Sequence, residues 1–214
     1  MSAGPGFDPR LTPAREDLAF EGLRGRIDAP RYVEGEIKQV AVPVAPLRRR
    51  PASDAPLDTQ ALYGEEVRVL DEDWEGWAWV QLQADGYVGY MPAEALAPLG
   101  PAPTHKVKAQ LAFLFPGPDI KLPPRETLPF GSKVSVRAES GLFRATAEGF
   151  FHQAHLAPLD DMEVDPDAVA ARFLGVPYVW GGRSSLGLDC SGLVQTALTA
   201  CGLPCPRDSD RQEA

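Results

Sequence analysis

The chain has 214 residues and a formal net charge of −9, with 24% charged and 44% hydrophobic side chains. The acidic balance argues against a nucleic-acid partner, which usually requires a basic patch, while the hydrophobic share suffices for a buried core. The 20 glycines and 22 prolines, about a fifth of the chain, favour short strands and turns over long helical bundles.

Residues 1–37 form a polar, Pro- and Gly-rich arm. Residues 13–24 predict one short helix with Leu18, Phe20 and Leu23 on its apolar face, and the rest of the arm is expected to lie on another part of the protein. The start lacks the apolar core of a secretory signal, and no run approaches the ~18 apolar residues of a membrane helix. We therefore expect a cytoplasmic protein with no membrane partner.

Residues 38–99 have the pattern of a small β-barrel. Apolar and polar side chains alternate in VRV (67–69) and WAWVQL (77–82), and both stretches are rich in β-branched or aromatic residues. Glycine-containing turn signals separate the predicted strands. Several short strands at such spacing are typical of a small barrel.

Residues 104–159 look like a second copy of this unit. The pattern Gly-x-x-Val-x-Val at 64–69 recurs at 131–136, and Leu-Ala-Pro-Leu at 96–99 recurs at 156–159. Two copies without a third favour tandem domains over a solenoid.

The remainder, 160–214, begins with an acidic stretch that we interpret as a solvated linker. Asp165 and Pro166 suit a helix start, and Gly175 suits its end. This helix is expected to run through Val169, Ala170, Phe173 and Leu174. A second helix is predicted over 191–201, ending before Gly202. Its apolar stripe consists of Leu193, Val194, Ala197, Leu198 and Cys201.

Cys190 stands at the start of the second helix, directly after Asp189. The unsatisfied N–H groups and partial positive charge of a helix N-terminus stabilise a thiolate, and the backbone N–H of Cys190 could help to hold an oxyanion. A nucleophilic cysteine and a buried, inert cysteine are equally compatible with this local pattern. Cys201 is expected in the core, and Cys205, between two prolines, has no charge partner. Zinc-ligand spacings are absent, so we expect no metal and no cofactor.

Three sequence blocks carry a family resemblance. PYVWGG at 177–182, DCSG at 189–192 and PRDS followed by Gln at 206–212 resemble the signature of the NlpC family of papain-like cysteine peptidases. The two upstream repeats resemble bacterial SH3-like domains. The resemblance implies a mostly β N-terminal part with two tandem SH3-like barrels, followed by the start of an α+β papain-like cysteine peptidase domain at 160–214.

The resemblance also implies an activity. Such enzymes cleave murein peptides, commonly at the γ-D-glutamyl bond to diaminopimelate or another diamino acid, here in peptides with a free N-terminal L-Ala. The missing signal sequence and the free thiols favour cell-wall peptide recycling in the cytoplasm over wall remodelling by an exported enzyme. The alternative is a non-catalytic module of tandem SH3-like domains that binds cell-wall peptide through Trp74, Trp77, Trp79, Tyr87 and Tyr90.

Site residues follow from the resemblance position by position. Cys190 would be the nucleophile, Tyr178 would lie near the thiol and help the oxyanion site, and Trp180 would shape the pocket wall. Asp189 and Ser191 would help to hold the free amino end of the peptide.

Three further positions complete the expected subsite. Ser209 would line it from the PRDS block, and Glu65 and Tyr87 of the first barrel would accept hydrogen bonds from the substrate ammonium group. Equally plausible roles are a surface turn for Glu65 and barrel packing for Tyr87.

The base of the reaction is missing from the expected place. In the family a histidine follows the cysteine well downstream, on a strand of the peptidase sheet. Here His105, His152 and His155 all precede Cys190. We therefore expect an incomplete peptidase that is inactive alone. A fragment of a longer chain is favoured over a second chain that supplies the rest and over a true truncation.

Overall fold

A computed structural model describes residues 7–213, so the first six residues of the expected arm and Ala214 lie outside it. The expectation of a mostly β architecture with an SH3-like part is confirmed.

The arm contains two short parallel strands instead of the predicted helix at 13–24. They are β1 (Ala19–Phe20) and β2 (Tyr32–Val33), with a 3₁₀ turn at Glu21–Leu23 between them. The helix prediction is therefore wrong. Its physical reason is tertiary packing, which overrides local propensity.

The arm lies on the first barrel, as expected. Leu18 is fully buried and packs with Leu70, Trp79 and Val88 of that barrel. The backbone N–H of Val88 also donates to the carbonyl of Arg10 at 2.7 Å. This apolar contact holds residue 18 in an extended segment.

The first barrel is one seven-stranded antiparallel sheet. Its strands are β3 (Glu36–Val40), β4 (Val44–Arg48), β5 (Leu57–Leu62), β6 (Glu66–Glu72), β7 (Trp77–Leu82), β8 (Val88–Pro92) and β9 (Leu96–Pro98). They are hydrogen-bonded in the order β5-β4-β8-β7-β6-β3-β9. Alternating side chains of β6 and β7, among them Val67, Val69 and Val80, fill its core, as the sequence pattern predicts.

The second barrel has two smaller sheets around a separate core. Its strands are β10 (His105–Val107), β11 (Leu111–Phe115), β12 (Glu126–Pro129), β13 (Lys133–Val134), β14 (Ala138–Ser140), β15 (Phe143–Ala145), β16 (Phe150–His152) and β17 (Leu156–Pro158). The sheet orders are β13-β10-β17 and β12-β11-β16-β15-β14. The core includes Val107, Leu128 and Phe151.

The register of the last strands matches between the barrels. In the first barrel Leu96 of β9 lies opposite Val40 of β3, and in the second Leu156 of β17 lies opposite Val107 of β10. A 3₁₀ turn precedes each of these two strands. The sequence repeat is therefore a structural repeat, whereas the exact domain limits stay predictions.

The C-terminal segment packs on the second barrel. It contains α1 (Pro166–Ala171), β18 (Arg183–Ser184), β19 (Gly187–Leu188), α2 (Cys190–Ala200) and α3 (Ser209–Gln212). Phe130 of the second barrel meets Phe173 edge-to-face, with ring centroids 5.6 Å apart, and buried Ala197 of α2 joins the same cluster.

The two predicted helices of this segment are confirmed. In each, one residue predicted for the apolar face is exposed. Asp165 caps α1 through the N–H groups of residues 167 and 168, but α1 ends at Ala171, which leaves Leu174 exposed. In α2 the predicted stripe packs mostly inward, and Val194 is exposed at its edge.

Candidate active site

The candidate site is built around the first residue of α2, Cys190, whose side chain is exposed and free. The turn that precedes α2 packs against it without room for side chains. A Cβ on Gly192 would lie 2.3 Å from the carbonyl oxygen of Gly182. The glycine at 192 therefore lets the turn approach the helix start closely enough to present the thiol at the surface.

Asp189 is the N-cap of α2. Its Oδ1 accepts from the N–H of Gly192 at 2.7 Å, and its Oδ2 accepts from the N–H of Gly181 at 2.8 Å. Arg207 donates to both oxygens, at 2.9 and 2.8 Å. Burial opposes ionisation, but Arg207 and these backbone donors together lower the pKa of Asp189. The carboxylate is therefore charged and fixed at neutral pH.

This arrangement bears on the expected contact between Asp189 and the substrate amine. A carboxylate offers about four acceptor positions. Five protein donors already contact it in this structure: two from the backbone, two from the guanidinium of Arg207 and the hydroxyl of Ser191. Asp189 thus has a demonstrated role in shaping the helix start, and its contact with substrate stays a prediction.

Arg207 is the residue whose importance the sequence did not reveal. It belongs to the PRDS block, but its charge partner lies 18 residues away in sequence, and its side chain is only 2% exposed. The sequence did contain one clue: DCSG and PRDS each carry a residue of opposite charge, Asp189 and Arg207, and these two form the pair.

The two serines of the expected subsite have different environments. Ser191 is buried, and its hydroxyl accepts from Arg207 at 2.9 Å. Its carbonyl accepts from the Nε2 of Gln212 at 3.0 Å, so the PRDS block packs onto the helix start. Ser209 begins α3 and is exposed.

Tyr178 and Trp180 are both largely exposed beside the turn. Partial desolvation and, next, the charges of Cys190 and Asp189 raise the pKa of Tyr178, which agrees with its expected position near the thiol. Trp180 presents its ring to solvent on the same stretch of chain. Both side chains are accessible to a ligand at this face.

Glu65 of the first barrel forms a buried ion pair with Arg183 of the C-terminal segment. Its second oxygen accepts from the N–H of Leu62 at 2.9 Å. Glu65 is therefore no surface turn residue, and its charge is already matched by a guanidinium. Binding of a substrate ammonium group to Glu65 stays a prediction that requires this pair to share its carboxylate.

Tyr87 packs in the first barrel, and its expected contact with a substrate amine stays a prediction. Its ring is 3% exposed and belongs to the first-barrel core, and its hydroxyl donates to Asp208 at 3.1 Å. Glu65, Tyr87, Arg183 and Asp208 line one cavity of about 1160 Å³ between the barrels and α2. Of the residues expected to recognise an amine, Glu65 and Tyr87 line this cavity, whereas Asp189, Ser191 and Ser209 lie outside its lining, as does Cys190.

The histidines lie in the second barrel, as the sequence indicates. Burial lowers the pKa of His105, and burial followed by the charge of His152 lowers that of His155. His152 caps a 3₁₀ turn by accepting from Ala154. No histidine of residues 7–213 belongs to the segment that carries Cys190.

Residues 7–213 contain neither a membrane-spanning helix nor a cluster of metal-binding side chains. The helices there are too short or too polar to cross a membrane. Within the same residues no group of three or more His, Cys, Asp or Glu side chains is arranged to hold a metal ion.

Comparisons with known proteins match both parts of the chain. Residues 47–96 match the family model of the bacterial dipeptidyl-peptidase SH3 domain, and residues 175–214 match the model of the NlpC/P60 family.

Two curated relatives extend over both parts. The chain is 31% identical over 179 residues to a γ-D-glutamyl-L-lysine dipeptidyl-peptidase of Bacillus subtilis (strain 168). This alignment covers 75% of this chain and 58% of the relative. It is 29% identical over 190 residues to the protein of the same name from Bacillus cereus (strain ATCC 10987 / NRS 248), with 73% and 54% covered. The chain therefore spans a little over half the length of these relatives.

A solved structure shows the same fold. An NlpC/P60 family protein from Bacillus cereus ATCC 10987 has a TM-score of 0.72 to this chain at 23% identity, and covers 83% of this chain and 76% of that one.

Proposed function

With an SH3 domain and an NlpC/P60 segment as the premise, we propose that this chain is part of a cysteine peptidase that acts on cell-wall peptides. One observation carries the proposal. Cys190 is exposed at the start of α2, and its neighbour Asp189 is locked as the N-cap by Arg207. An accessible thiol in the field of a helix N-terminus is the arrangement that favours a nucleophilic cysteine.

The substrate class that we propose is a murein peptide with a free N-terminal L-Ala, cleaved between γ-D-Glu and a diamino acid. The names of the curated relatives support the γ-D-glutamyl part. The cavity supports the free amine, because the carboxylates of Glu65 and Asp208 and the hydroxyl of Tyr87 line it together. Charged and polar acceptors of this kind select for an ammonium group.

The proposed chemistry begins with the thiolate of Cys190. Its Sγ attacks the carbonyl carbon of the γ-glutamyl amide, a C–S bond forms, and the backbone N–H groups at the start of α2 face the developing oxyanion. Breaking the C–N bond releases the diamino acid as an amine, which requires a proton, and water must then hydrolyse the thioester to release L-Ala-D-Glu and restore the thiol. Because no histidine of this chain lies in the C-terminal segment, we expect the 214-residue chain to bind peptide without turnover.

Mass spectrometry tests the activity on the protein that carries this sequence. With L-Ala-γ-D-Glu-diaminopimelate and L-Ala-γ-D-Glu-L-Lys as substrates, we expect release of L-Ala-D-Glu. Cys190→Ala should abolish the product, whereas the matched exchange Cys201→Ala, outside the cavity, should leave it unchanged. Equal cleavage by the Cys190→Ala variant would refute the proposal.

If the protein that carries this sequence, tested with a histidine available to the site, binds these peptides without cleaving them, that outcome favours the alternative, a tandem SH3 peptide-binding module. The aromatic surface expected for that module is reduced here, because Trp79 and Tyr87 are buried and only Trp74 is fully exposed among the named aromatics. We propose that the protein lies in the cytoplasm and acts there in the recycling of cell-wall peptides. Its recovery from a secreted or periplasmic fraction would contradict that location.

A further inference from the structure

We propose that Arg207 is a positioning residue of the candidate active site, one that makes the geometry around Cys190 depend on docking of the first barrel. The catalytic meaning of this proposal rests on the proposed function. The structural coupling itself does not, and it can be measured without substrate.

The guanidinium of Arg207 joins three parts of the chain. Its Nε donates to the hydroxyl of Thr59 in the first barrel at 2.8 Å. Nη1 donates to Asp189 and to Ser191, both at 2.9 Å. Nη2 donates to Asp189 at 2.8 Å and to the carbonyl of Gly182 at 3.3 Å. One buried, planar group therefore holds the barrel, the turn and the helix start in fixed relation.

At the barrel end, β5 rests directly on the turn. Thr59 is fully buried, and the neighbouring Gln60 accepts from the backbone N–H of Arg183 at 2.8 Å. A Cβ on Gly181, which has a φ of +74°, would lie 2.6 Å from the carbonyl oxygen of Leu57. The backbones of the barrel and the turn are thus in direct contact, and the hydrogen bond from Arg207 to Thr59 links the guanidinium to that contact.

At the other end, Arg207 holds both neighbours of the nucleophile. Asp189 precedes Cys190 and Ser191 follows it, and both side chains are bonded to Nη1 of the same guanidinium. A shift of Arg207 would therefore move the two residues that set the direction of the thiol.

Arg207 also balances charge beside the thiol. An unmatched carboxylate on Asp189 would oppose the favourable field of the helix N-terminus. The phenol of Tyr178 is a further titratable group close enough for the charge of Cys190 to raise its pKa. Loss of the guanidinium would thus leave Cys190 beside an uncompensated negative charge.

The test measures alkylation of Cys190 by iodoacetamide, followed by site-resolved mass spectrometry across the pH range in which thiols ionise. We compare the intact chain with Arg207→Lys, which keeps the charge but loses the planar fork, and with Thr59→Val, which removes only the barrel contact. Cys201 and Cys205 are internal controls in every sample.

We expect the Cys190 rate at neutral pH to fall about tenfold in Arg207→Lys, because a lysine cannot hold Asp189, Ser191 and Thr59 together with one planar group, and severalfold in Thr59→Val. The rates at Cys201 and Cys205 should not change. The exchange Arg172→Lys breaks a similar two-bond pair with Glu163 away from the site and should have no effect.

Two results would overturn the proposal. One is an unchanged Cys190 rate and pH midpoint in both variants, which would leave Arg207 with a structural role only. The other is equal slowing at all three cysteines, which would indicate general loosening. If Arg207→Lys does not fold, as judged by circular dichroism, Thr59→Val decides alone. Because alkylation needs no substrate, failure of the peptidase proposal would leave this result interpretable.

Discussion

The phenol of Tyr87 donates a 3.1 Å hydrogen bond to the carboxylate of Asp208, and so joins the first barrel to the PRDS block. The same carboxylate oxygen accepts from Arg10 of the arm at 2.8 Å. Burial and, next, the charges of Asp208 and Asp58 raise the pKa of Tyr87, so its hydroxyl is protonated and available as a donor at neutral pH. Arm, barrel and C-terminal segment therefore meet at one acceptor.

Removing that hydroxyl should weaken the whole assembly. We expect Tyr87→Phe to lower the free energy of unfolding in urea by about 1–2 kcal/mol, because a hydrogen bond to a charged acceptor is lost while the ring stays in the core. Tyr63→Phe is the matched control, since the Tyr63 hydroxyl makes no protein hydrogen bond within residues 7–213. Equal losses in the two variants would contradict a special role for the contact with Asp208.

The ion pair between Glu65 and Arg183 should be costly to break from one side only. Both side chains are 9% exposed, so Glu65→Gln leaves a buried guanidinium without its hydrogen-bonded carboxylate, and we expect a loss of about 3 kcal/mol in urea unfolding because Asp85 remains as a second negative charge nearby. Glu163→Gln, which breaks the more exposed pair with Arg172, should cost at most about 1 kcal/mol.

The double exchange Glu65→Leu with Arg183→Met should restore much of this loss, because apolar side chains can replace a buried pair. A double variant no more stable than Glu65→Gln would show that the pair is not the source of the effect. Peptide titration of the same variants would show whether Glu65 also contributes to amine binding.

Local sequence patterns correctly predicted the strands and helices that are determined by neighbouring residues in the sequence. The alternation at 77–82 became β7, and the cap at Asp165 and the start at Cys190 were correct, because strand faces and helix caps are read from neighbouring residues. The helix predicted at 13–24 failed because Leu18 is buried by side chains of β6, β7 and β8, which are distant in sequence.

The same distinction applies to the site. Motif blocks identified Cys190, but they gave no information on what the charged residues beside it contact. Arg207 and Arg183 were not recognised because their partners come from other blocks or from the first barrel, up to 148 residues away. Pairings of this kind depend on how the domains dock, and no local pattern in the sequence specifies them.

Gly192→Ala should reverse the usual effect of this exchange in a helix. Alanine normally stabilises a helix interior by about 1 kcal/mol over glycine. Here the new Cβ would meet the carbonyl oxygen of Gly182 at 2.3 Å and Oδ1 of Asp189 at 2.9 Å, so the turn must move. We expect a lower unfolding free energy together with slower alkylation of Cys190.

Thr196→Ala, on the same helix but away from the turn, is the control for that variant: it should raise the unfolding free energy by about 0.5 kcal/mol and leave the alkylation rate of Cys190 unchanged. A Gly192→Ala chain more stable than the parent would mean that the close approach of Gly182 is not required.

Protonation of His155 should destabilise the fold at mildly acidic pH. Burial and the neighbouring His152 hold the pKa of His155 below its usual 6.5, and its Nδ1 is buried without a hydrogen-bond partner. Between the folded-state pKa and 6.5 the unfolded chain binds more protons, so the free energy of unfolding decreases as the pH falls through this window and levels off below it.

His155→Leu should reduce the dependence of the unfolding free energy on pH, measured by urea unfolding at several pH values. His105 contributes in the same direction and remains in the variant, so some slope should persist. Identical slopes in the two proteins would show that His155 is not the group responsible.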